Sequence, residues 1–417
     1  MRRFERWLTG TLPLTGTLAL ALAWSLPLAA ALAASEWPQW RGPSGMGLSD
    51  ERDLPTTWGG TENAAVRWKS PLPHADASQS SPIVWGDRVF VTTALNRPVE
   101  HHVTCYRASD GERLWDTLVP PGPWTLTDLR GGYACATPAT DGERVYALFG
   151  SAVLVAIDFA GRLAWRHEIE PHAFDVAIAS SPLVYHGQVI LLCDQTEKKS
   201  FIAAFDAKTG MTAWQRPRPE AGFNHSTPLI TTVGGRPLML VSASHALQGL
   251  DPADGSVVWW CRSKGDVSTP VCAGNLVYVD EGRGGPGICV DPTGQGDVSA
   301  THRKWTITNG TNGMDSPIIV GDFLYRTSVA LRCYRLGTGE EVWSQRLGGD
   351  FPASPVSTAD GLIYYASAGK SWVIRAGANF ELVGSSDLGD ASSCSPAVAH
   401  GCIFLKGATS LFCIGKK

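Results

Sequence analysis

The stretch Ser81-Pro-Ile-Val-Trp-Gly-Asp-Arg-Val-Phe-Val-Thr92 decides how this chain folds, together with Val103-Thr-Cys-Tyr-Arg107, Ala108-Ser-Asp-Gly111 and Glu112-Arg-Leu-Trp-Asp116. It holds four short runs of β-branched and aromatic residues broken by Gly-containing turns, the pattern of a four-stranded antiparallel meander. The same order returns in Ser316-Pro-Ile-Ile-Val-Gly-Asp-Phe-Leu-Tyr325, Leu331-Arg-Cys-Tyr-Arg335, Gly337-Thr-Gly339 and Glu341-Val-Trp343. Outward from these two copies, a Ser-Pro or Thr-Pro pair opens each of eight units: Ser81-Pro82, Thr137-Pro138, Ser181-Pro182, Thr227-Pro228, Thr269-Pro270, Ser316-Pro317, Ser354-Pro355 and Ser395-Pro396. Successive prolines are 56, 44, 46, 42, 47, 38 and 41 residues apart. A period in this range marks an array of small units, none of which can bury its apolar face alone.

Helical solenoids are excluded, because nothing downstream of residue 34 has helical periodicity over a comparable length. The expected fold is all-β: an eight-bladed β-propeller of four-stranded antiparallel blades. The eighth unit runs out after Ser410-Leu-Phe-Cys-Ile414, one strand short, and Val66-Arg-Trp-Lys69 has the character of the missing outer strand. The last blade is therefore expected to be closed by this N-terminal strand, which removes the open edges at the ring seam. The expected divisions are a signal peptide at 1–34, a Trp/Pro/Gly-rich arm at 35–65 and the propeller at 66–417. The arm, from Glu36-Trp-Pro-Gln-Trp-Arg-Gly-Pro43 to Trp58, is expected to lie across the ring and bury Trp37, Trp40 and Trp58 rather than bind carbohydrate.

Tryptophans recur in the outer strands at Trp68, Trp115, Trp165, Trp214, Trp259, Trp305 and Trp343, with Val383 at the corresponding place in the seventh unit. The preceding strand carries a small residue, Cys105, Ala156, Ala204, Gly249, Cys289, Cys333 or Cys413, and Ile374 is the exception in that same unit. A small residue at one repeated site leaves room for a large ring at another, so each Trp is expected to pack between blades and bury roughly 150–250 Å². Ala204-Phe-Asp206…Thr209-Gly210…Trp214, Gly249-Leu-Asp251…Asp254-Gly255…Trp259 and the shortened Ala156-Ile-Asp158…Gly161…Trp165 resemble the pyrroloquinoline-quinone (PQQ) type propeller repeat. The resemblance covers nearly the whole chain after the leader. The resemblance does not decide the activity, because members of the family include PQQ-dependent dehydrogenases and also the BamB subunit of outer-membrane β-barrel assembly, which binds no quinone. WD-repeat propellers are disfavoured, since their Trp-Asp pair precedes the turn and this Trp follows it.

Met1 to Ala34 reads as a secretory leader, with Arg2, Arg3 and Arg6, an apolar stretch from Leu12 to Leu28, and Ala31-Leu32-Ala33 for cleavage; an uncleaved anchor is the alternative. The expected location is periplasmic or extracellular, without a lipoprotein anchor, because no Cys lies near the cleavage signal. The chain has a formal net charge of −4, and the leader carries three Arg and one Glu, a net +2, so the balance becomes −6 without it. That balance argues against nucleic acid as a partner. No second membrane-crossing stretch is expected, and a monomer is. Of the ten cysteines, Cys105, Cys289, Cys333 and Cys413 occupy one repeated site in different blades and read as compact buried hydrophobes. Cys135, Cys193, Cys261, Cys272, Cys394 and Cys402 cannot be paired from sequence. No Cys-x-x-Cys occurs, so a zinc knuckle and attached haem are unsupported.

Chemistry is expected on the face formed by the linkers between units and the loops between second and third strands. The linkers bring Asp76, Arg130, Asp175, His225, Asp266, Asp315, Asp350 and Asp390, and the loops bring Asp194, His245, Glu281, Arg283, Arg326, Lys370 and Lys406. The functional reading is a mixed-charge funnel for a polar ligand or cation. The bland reading is that the recurring Asp, Ser and Thr satisfy tight linkers. Arg283, Arg326, Lys370 and Lys406 recur least and are the stronger candidates, with Glu281, Asp175, Asp266, Asp315 and Asp350 beside them. His101-His102 and His167/His172 read as solvated loop residues without metal-ligand spacing, and no metal site is expected. The resemblance would place PQQ and calcium at the ring centre, with a catalytic aspartate and an adjacent Cys-Cys disulfide. Only Asp315, near Asn309 and Asn312, approaches that constellation, and adjacent cysteines are absent. The expectation is thus a non-catalytic exported propeller with no cofactor that binds a protein partner or ligand. A PQQ-dependent oxidoreductase and a carbohydrate- or polymer-binding propeller are the alternatives.

Overall fold

The computed structural model describes residues 35–76, 78–170, 172–265, 267–281, 286–309, 314–327, 330–348, 352–367, 369–391 and 394–416, and residues 34–417 form one compact unit. The leader and the candidates Arg283, Asp266 and Asp350 lie outside the described residues, as does Asn312. The described residues contain eight antiparallel four-stranded meanders and no helix. Blade 1 runs from the inner strand Ile83–Trp85 through Arg88–Asn96 and Val99–Arg107 to the outer strand Arg113–Val119. Blade 8 comprises Ala397–Ala399, Cys402–Lys406 and Ser410–Gly415, with Val66–Pro71 as its outer strand. Trp68 lies opposite Cys413, so the expected N-terminal closure is the closure found.

The Ser/Thr-Pro starts meet around the central channel, and their chemistry explains why the pair recurs. Proline has no N–H and biases the residue before it toward an extended conformation, so the Ser or Thr ahead of it turns a single N–H away from its own blade. The hydroxyl of the next blade accepts that N–H. Ser81 N donates to Thr137 Oγ1 at 2.9 Å, Thr137 N to Ser181 Oγ at 3.0 Å, and Ser181 N to Thr227 Oγ1 at 3.0 Å. Thr227 N follows to Thr269 Oγ1 at 2.9 Å, Thr269 N to Ser316 Oγ at 3.0 Å, and Ser316 N to Ser354 Oγ at 2.9 Å. Ser354 N reaches Ser395 Oγ at 3.0 Å, and Ser395 N returns to Ser81 Oγ at 2.9 Å. Eight bonds of one direction thus close a circle through all eight blades.

Further out, each tryptophan faces the small residue expected for it: Cys105 pairs with Trp115, Ala156 with Trp165, Ala204 with Trp214, Cys289 with Trp305 and Cys333 with Trp343. The ring reaches the next blade. Trp68, Trp115, Trp165, Trp305 and Trp343 donate Nε1–H to Ala108, Phe159, Ala207, Leu336 and Gly377 carbonyls at 2.9–3.1 Å. The positive-φ turn glycine of that blade is pressed against the indole: a Cβ on Gly111 would sit 2.6 Å from Trp68, and one on Gly210 2.7 Å from Trp165. Trp259 departs from this, lying on Gly249 of its own blade beneath Val298, where Gly296–Asp297 adds a fifth, parallel strand to blade 4.

Blade 7 corrects the expected register by one residue. Val373, not Ile374, occupies the small-residue site, and Gly384, not Val383, lies opposite it. The arm fills the resulting gap. A Cβ on Gly384 would meet the Thr56 carbonyl at 2.1 Å. Trp58 stacks on Tyr364 with centroids 6.3 Å apart, the partner position held by Phe90 for Trp115, Tyr146 for Trp165, Tyr325 for Trp343 and Phe404 for Trp68. The arm thus supplies blade 7 with its missing tryptophan before it becomes the outer strand of blade 8. Upstream, Trp37 exchanges backbone hydrogen bonds with Val84 of blade 1, Thr140 N of blade 2 donates to Pro38 O, and Arg41 reaches Pro317 O of blade 6 at 2.7 Å. Trp37 and Trp58 are buried, and Trp40 is half-buried.

Two outcomes test this account. Thr227→Val keeps the shape and removes the acceptor for the buried Ser181 N–H, which should cost about 1–3 kcal/mol in denaturant unfolding, whereas Thr227→Ser should be close to neutral. Trp58→Ala should cost about 3–5 kcal/mol, the loss expected of a core tryptophan, although Trp58 lies outside the repeats.

Candidate functional site

Inside the hydroxyl circle lies a cavity of about 750 Å³, lined by seven of the eight circle residues together with Gln79, Arg130, Cys135, His225, Met314 and Trp40 of the arm. Trp40 also walls a shallower groove between the starts of blades 3 and 4, so the arm floors the channel on one face. Arg130 stands on the opposite, linker-bearing face, paired with Asp128 through Nε at 2.7 Å. No carboxylate lines the cavity among the described residues.

The candidate charges fall into separate places. Arg326 is buried between blades 5 and 6, ion-paired to Asp280 at 2.5 Å, donating to Asn309 O at 3.1 Å, and set over the rings of Tyr278 and Tyr334. Burial opposes its charge, but Asp280 and the tyrosines outweigh that and hold the guanidinium above its usual value. Asp315 is buried beside this pair. Desolvation pushes its carboxyl up to about 7, with Asp280 adding to the shift and Thr327 and Arg41 opposing it. Arg41 enters the same region from the arm, where burial draws it down to about 9 against Asp315 and Tyr365. Two acids and two arginines therefore stitch blade 5, blade 6 and the arm together.

Lys406 crosses the ring seam. Its Nζ donates to Ser80 Oγ at 2.8 Å and Thr92 O at 3.1 Å of blade 1, and burial lowers its pKa. Glu281 is buried too, with its pKa raised by desolvation against Lys264 and Ser263. Lys370 and Asp175 are exposed and far apart in the fold order, at the start of the strand Lys370–Arg375 and in the linker to blade 3. Asp390 satisfies the Ala408 and Thr409 amides at 2.9–3.3 Å, the structural role open to these linker aspartates. Asp194 of blade 3 is instead clamped by Arg218 at 2.8 and 3.2 Å and accepts from the Asn224 side chain at 3.2 Å.

The histidines correct the solvated-loop expectation. His101 and His102 lie in the strand Val99–Arg107 and both are buried. His101 stacks on Phe149 at 4.5 Å, and burial draws its pKa down to about 4. His172 is buried against Trp124 and Phe174, with a pKa of about 4 for the same reason, and His167 packs on Phe205 from the strand Leu163–Glu168. Sequence offered one signal for the buried pair: alternation along a strand sends neighbouring histidines to opposite faces. Cys105, Cys289 and Cys333 are free thiols, and burial lifts them to about 12, which makes them inert packing.

Comparison with known proteins agrees with this architecture. The family model described as "Outer membrane protein assembly factor BamB" matches residues 60–173 and 99–345. No curated protein matches at a significant level. Among solved structures, BamB from Moraxella catarrhalis is 16% identical, covers 84% of this chain and 97% of its own, and superposes with a TM-score of 0.61. Quinohemoprotein alcohol dehydrogenase from Comamonas testosteroni is 14% identical over 92% of this chain and 81% of its own, with a TM-score of 0.66. A europium-containing methanol dehydrogenase is 12% identical over 90% of each chain, with a TM-score of 0.55. At such identities these structures speak for the fold alone. With the repeat, the closed ring and a family match spanning most of the blades, the chain belongs to the BamB family of PQQ-like β-propellers.

Proposed function

We propose that this protein is an exported, non-catalytic propeller that holds a protein partner in the cell envelope through its blade edges. The observation that carries the reading is the outer rim of blades 2 and 3. The strands Leu163–Glu168 and Thr212–Pro217 are outermost in their sheets, and the second is exposed along nearly its whole length. Beside them Leu163 and Met211 are exposed, Met211 at 71%. An open edge with apolar residues beside it suits an extended segment added by β-augmentation. Blade 4 displays the mode within the chain, since Gly296–Asp297 already pairs with its outer strand. The leader at 1–34 and the family match support export; among the described residues no helix is long and apolar enough to cross a membrane.

The quinone alternative fits the described walls poorly. Calcium takes oxygen ligands, usually including carboxylates. The described lining offers hydroxyls, an arginine and a histidine, while Asp315 is turned away into the Arg326 cluster. The sequence also has no adjacent cysteine pair.

The test has two arms. Leu163→Glu combined with Met211→Glu should abolish capture of a defined partner from envelope extract while leaving the melting temperature unchanged, and reconstitution with PQQ and Ca²⁺ should give no dye reduction with alcohols. Stoichiometric quinone with turnover overturns the scaffold reading, and capture unaffected by the double variant overturns the choice of surface.

In this reading Asp315 is a structural group, and its titration has a definite sign. A carboxyl raised to about 7 keeps its proton in the folded chain over a range where the unfolded chain has released it. Its contribution is therefore complete below about pH 4 and is lost as pH rises toward 7. Asp315→Asn should gain in melting temperature relative to the unmodified protein between about pH 5 and about pH 8. A difference that stays constant or shrinks would contradict the buried placement.

A further inference from the structure

We propose that His74, Glu100 and His102 of blade 1 bind a divalent transition-metal ion, with Asp116 as the carboxylate behind His102. The hairpin strands Arg88–Asn96 and Val99–Arg107 have nine residues each, whereas the equivalent strands Gln188–Cys193 and Phe201–Asp206 of blade 3 have six. This extension carries Glu100 beyond the ordinary reach of a blade, on the face that bears the linkers, while His102 stands where Phe201 opens the equivalent strand of blade 3. Residues 100, 102 and 104 share one side of the strand, while His101 turns the other way onto Phe149.

The linker into blade 1 completes the group. Asp76 N donates to Ala94 O at 3.0 Å and Thr93 Oγ1 to Pro73 O at 3.3 Å, which lays Pro73–Asp76 along the hairpin. His74 adopts a positive φ of 59° there, a conformation uncommon for a non-glycine residue. Its ring lies on His102 with centroids 3.9 Å apart. Ligand atoms of His74, Glu100 and His102 fall within 4.8 Å of one another.

His102 is prepared on both nitrogens. Nδ1 lies 3.2 Å from Asp116 Oδ1, and that oxygen is itself held by Thr104 Oγ1 at 2.9 Å. A proton on Nδ1 donated to Asp116 leaves the lone pair on Nε2. Nε2 has no hydrogen-bond partner although the side chain is only 7% exposed, and it lies 3.5 Å from Glu100 Oε2. A carboxylate behind a histidine whose far nitrogen is open is the arrangement that orients metal-ligating imidazoles. Two imidazoles and a carboxylate select zinc-like ions over calcium or magnesium, which prefer oxygen alone. Glu100 and Asp116 together offset the ion's charge. To share one ion the His74 ring must turn out of its stack, and at 35% exposure it has room to do so. Three protein ligands leave a coordination position open to solvent or to a partner's side chain.

The experiment is a titration of the metal-stripped full chain with Co²⁺, read by its visible d–d absorption and followed by displacement with Zn²⁺. One equivalent should saturate the signal. His74→Asn, which tolerates the positive φ, and Glu100→Gln should each weaken binding at least about tenfold, and Asp116→Asn about 10–100-fold, with melting curves confirming the fold. Absence of a saturable signal, or unchanged affinity in either His74→Asn or Glu100→Gln, overturns the proposal.

Discussion

The hydrogen bond from one blade's Ser or Thr amide to the next blade's hydroxyl is the contact on which the rest of the ring depends. Inner strands of a propeller line the central channel, and their edges would leave amides facing inward. Proline disposes of one amide, and the neighbouring hydroxyl accepts the other. Because every bond runs in the same direction, the chain of eight has no end at which a donor is left over. A buried N–H without a partner costs more than a satisfied one gains, so the circle favours complete closure over any open arrangement of the same blades. It also limits chemistry, since the positions nearest the axis are committed to holding blades together.

Closure then shifts the burden to the N-terminal arm. Eight units cannot complete themselves from residues 81–414, because blade 8 lacks a strand and blade 7 lacks a tryptophan. One segment corrects both: Trp58 stacks on Tyr364, and Val66–Pro71 pairs with Ser410–Gly415. Arg41, upstream, adds a cation to the blade 5 and 6 cluster. The ring is closed by residues distant in sequence, which makes the arm part of the core despite its loop-like composition.

This division explains what could be read from sequence. Periodic features were legible, because each strand, turn glycine and tryptophan is repeated and averages out local noise; the fold, the eight starts and the closing strand at Trp68 follow from that. Single-copy features were not. A β-bulge after each small residue shifts register by one, so counting back from a turn misplaced Gly384 by a residue in the one blade without a tryptophan to mark it. Arg326 and Lys406 looked like surface groups because charged residues near loops usually are. Their partners, Asp280 and the Ser80 hydroxyl, sit in neighbouring blades and share no local pattern with them. The His74 and His102 pair is separated by 28 positions and joined only when a linker folds along a hairpin, a relation with no sequence spacing to announce it.

Function in such a ring has to arise where symmetry is broken, since a feature shared by eight blades is already explained by packing. The departures are few and they cluster. Blade 1 has the lengthened hairpin, blade 4 the added parallel strand, and blades 5 and 6 the buried charges. The last of these is consumed internally, because each charge there has a counter-charge or a carbonyl within reach. An edge already covered, as in blade 4, is equally spent. Among what stays open are the rim of blades 2 and 3, with Leu163 and Met211 exposed beside it, and the lengthened hairpin of blade 1. Neighbouring blades therefore place an exposed outer strand and the His74, Glu100 and His102 group on one arc of the ring, and a partner pairing along the rim would have only one blade to cross to reach the other.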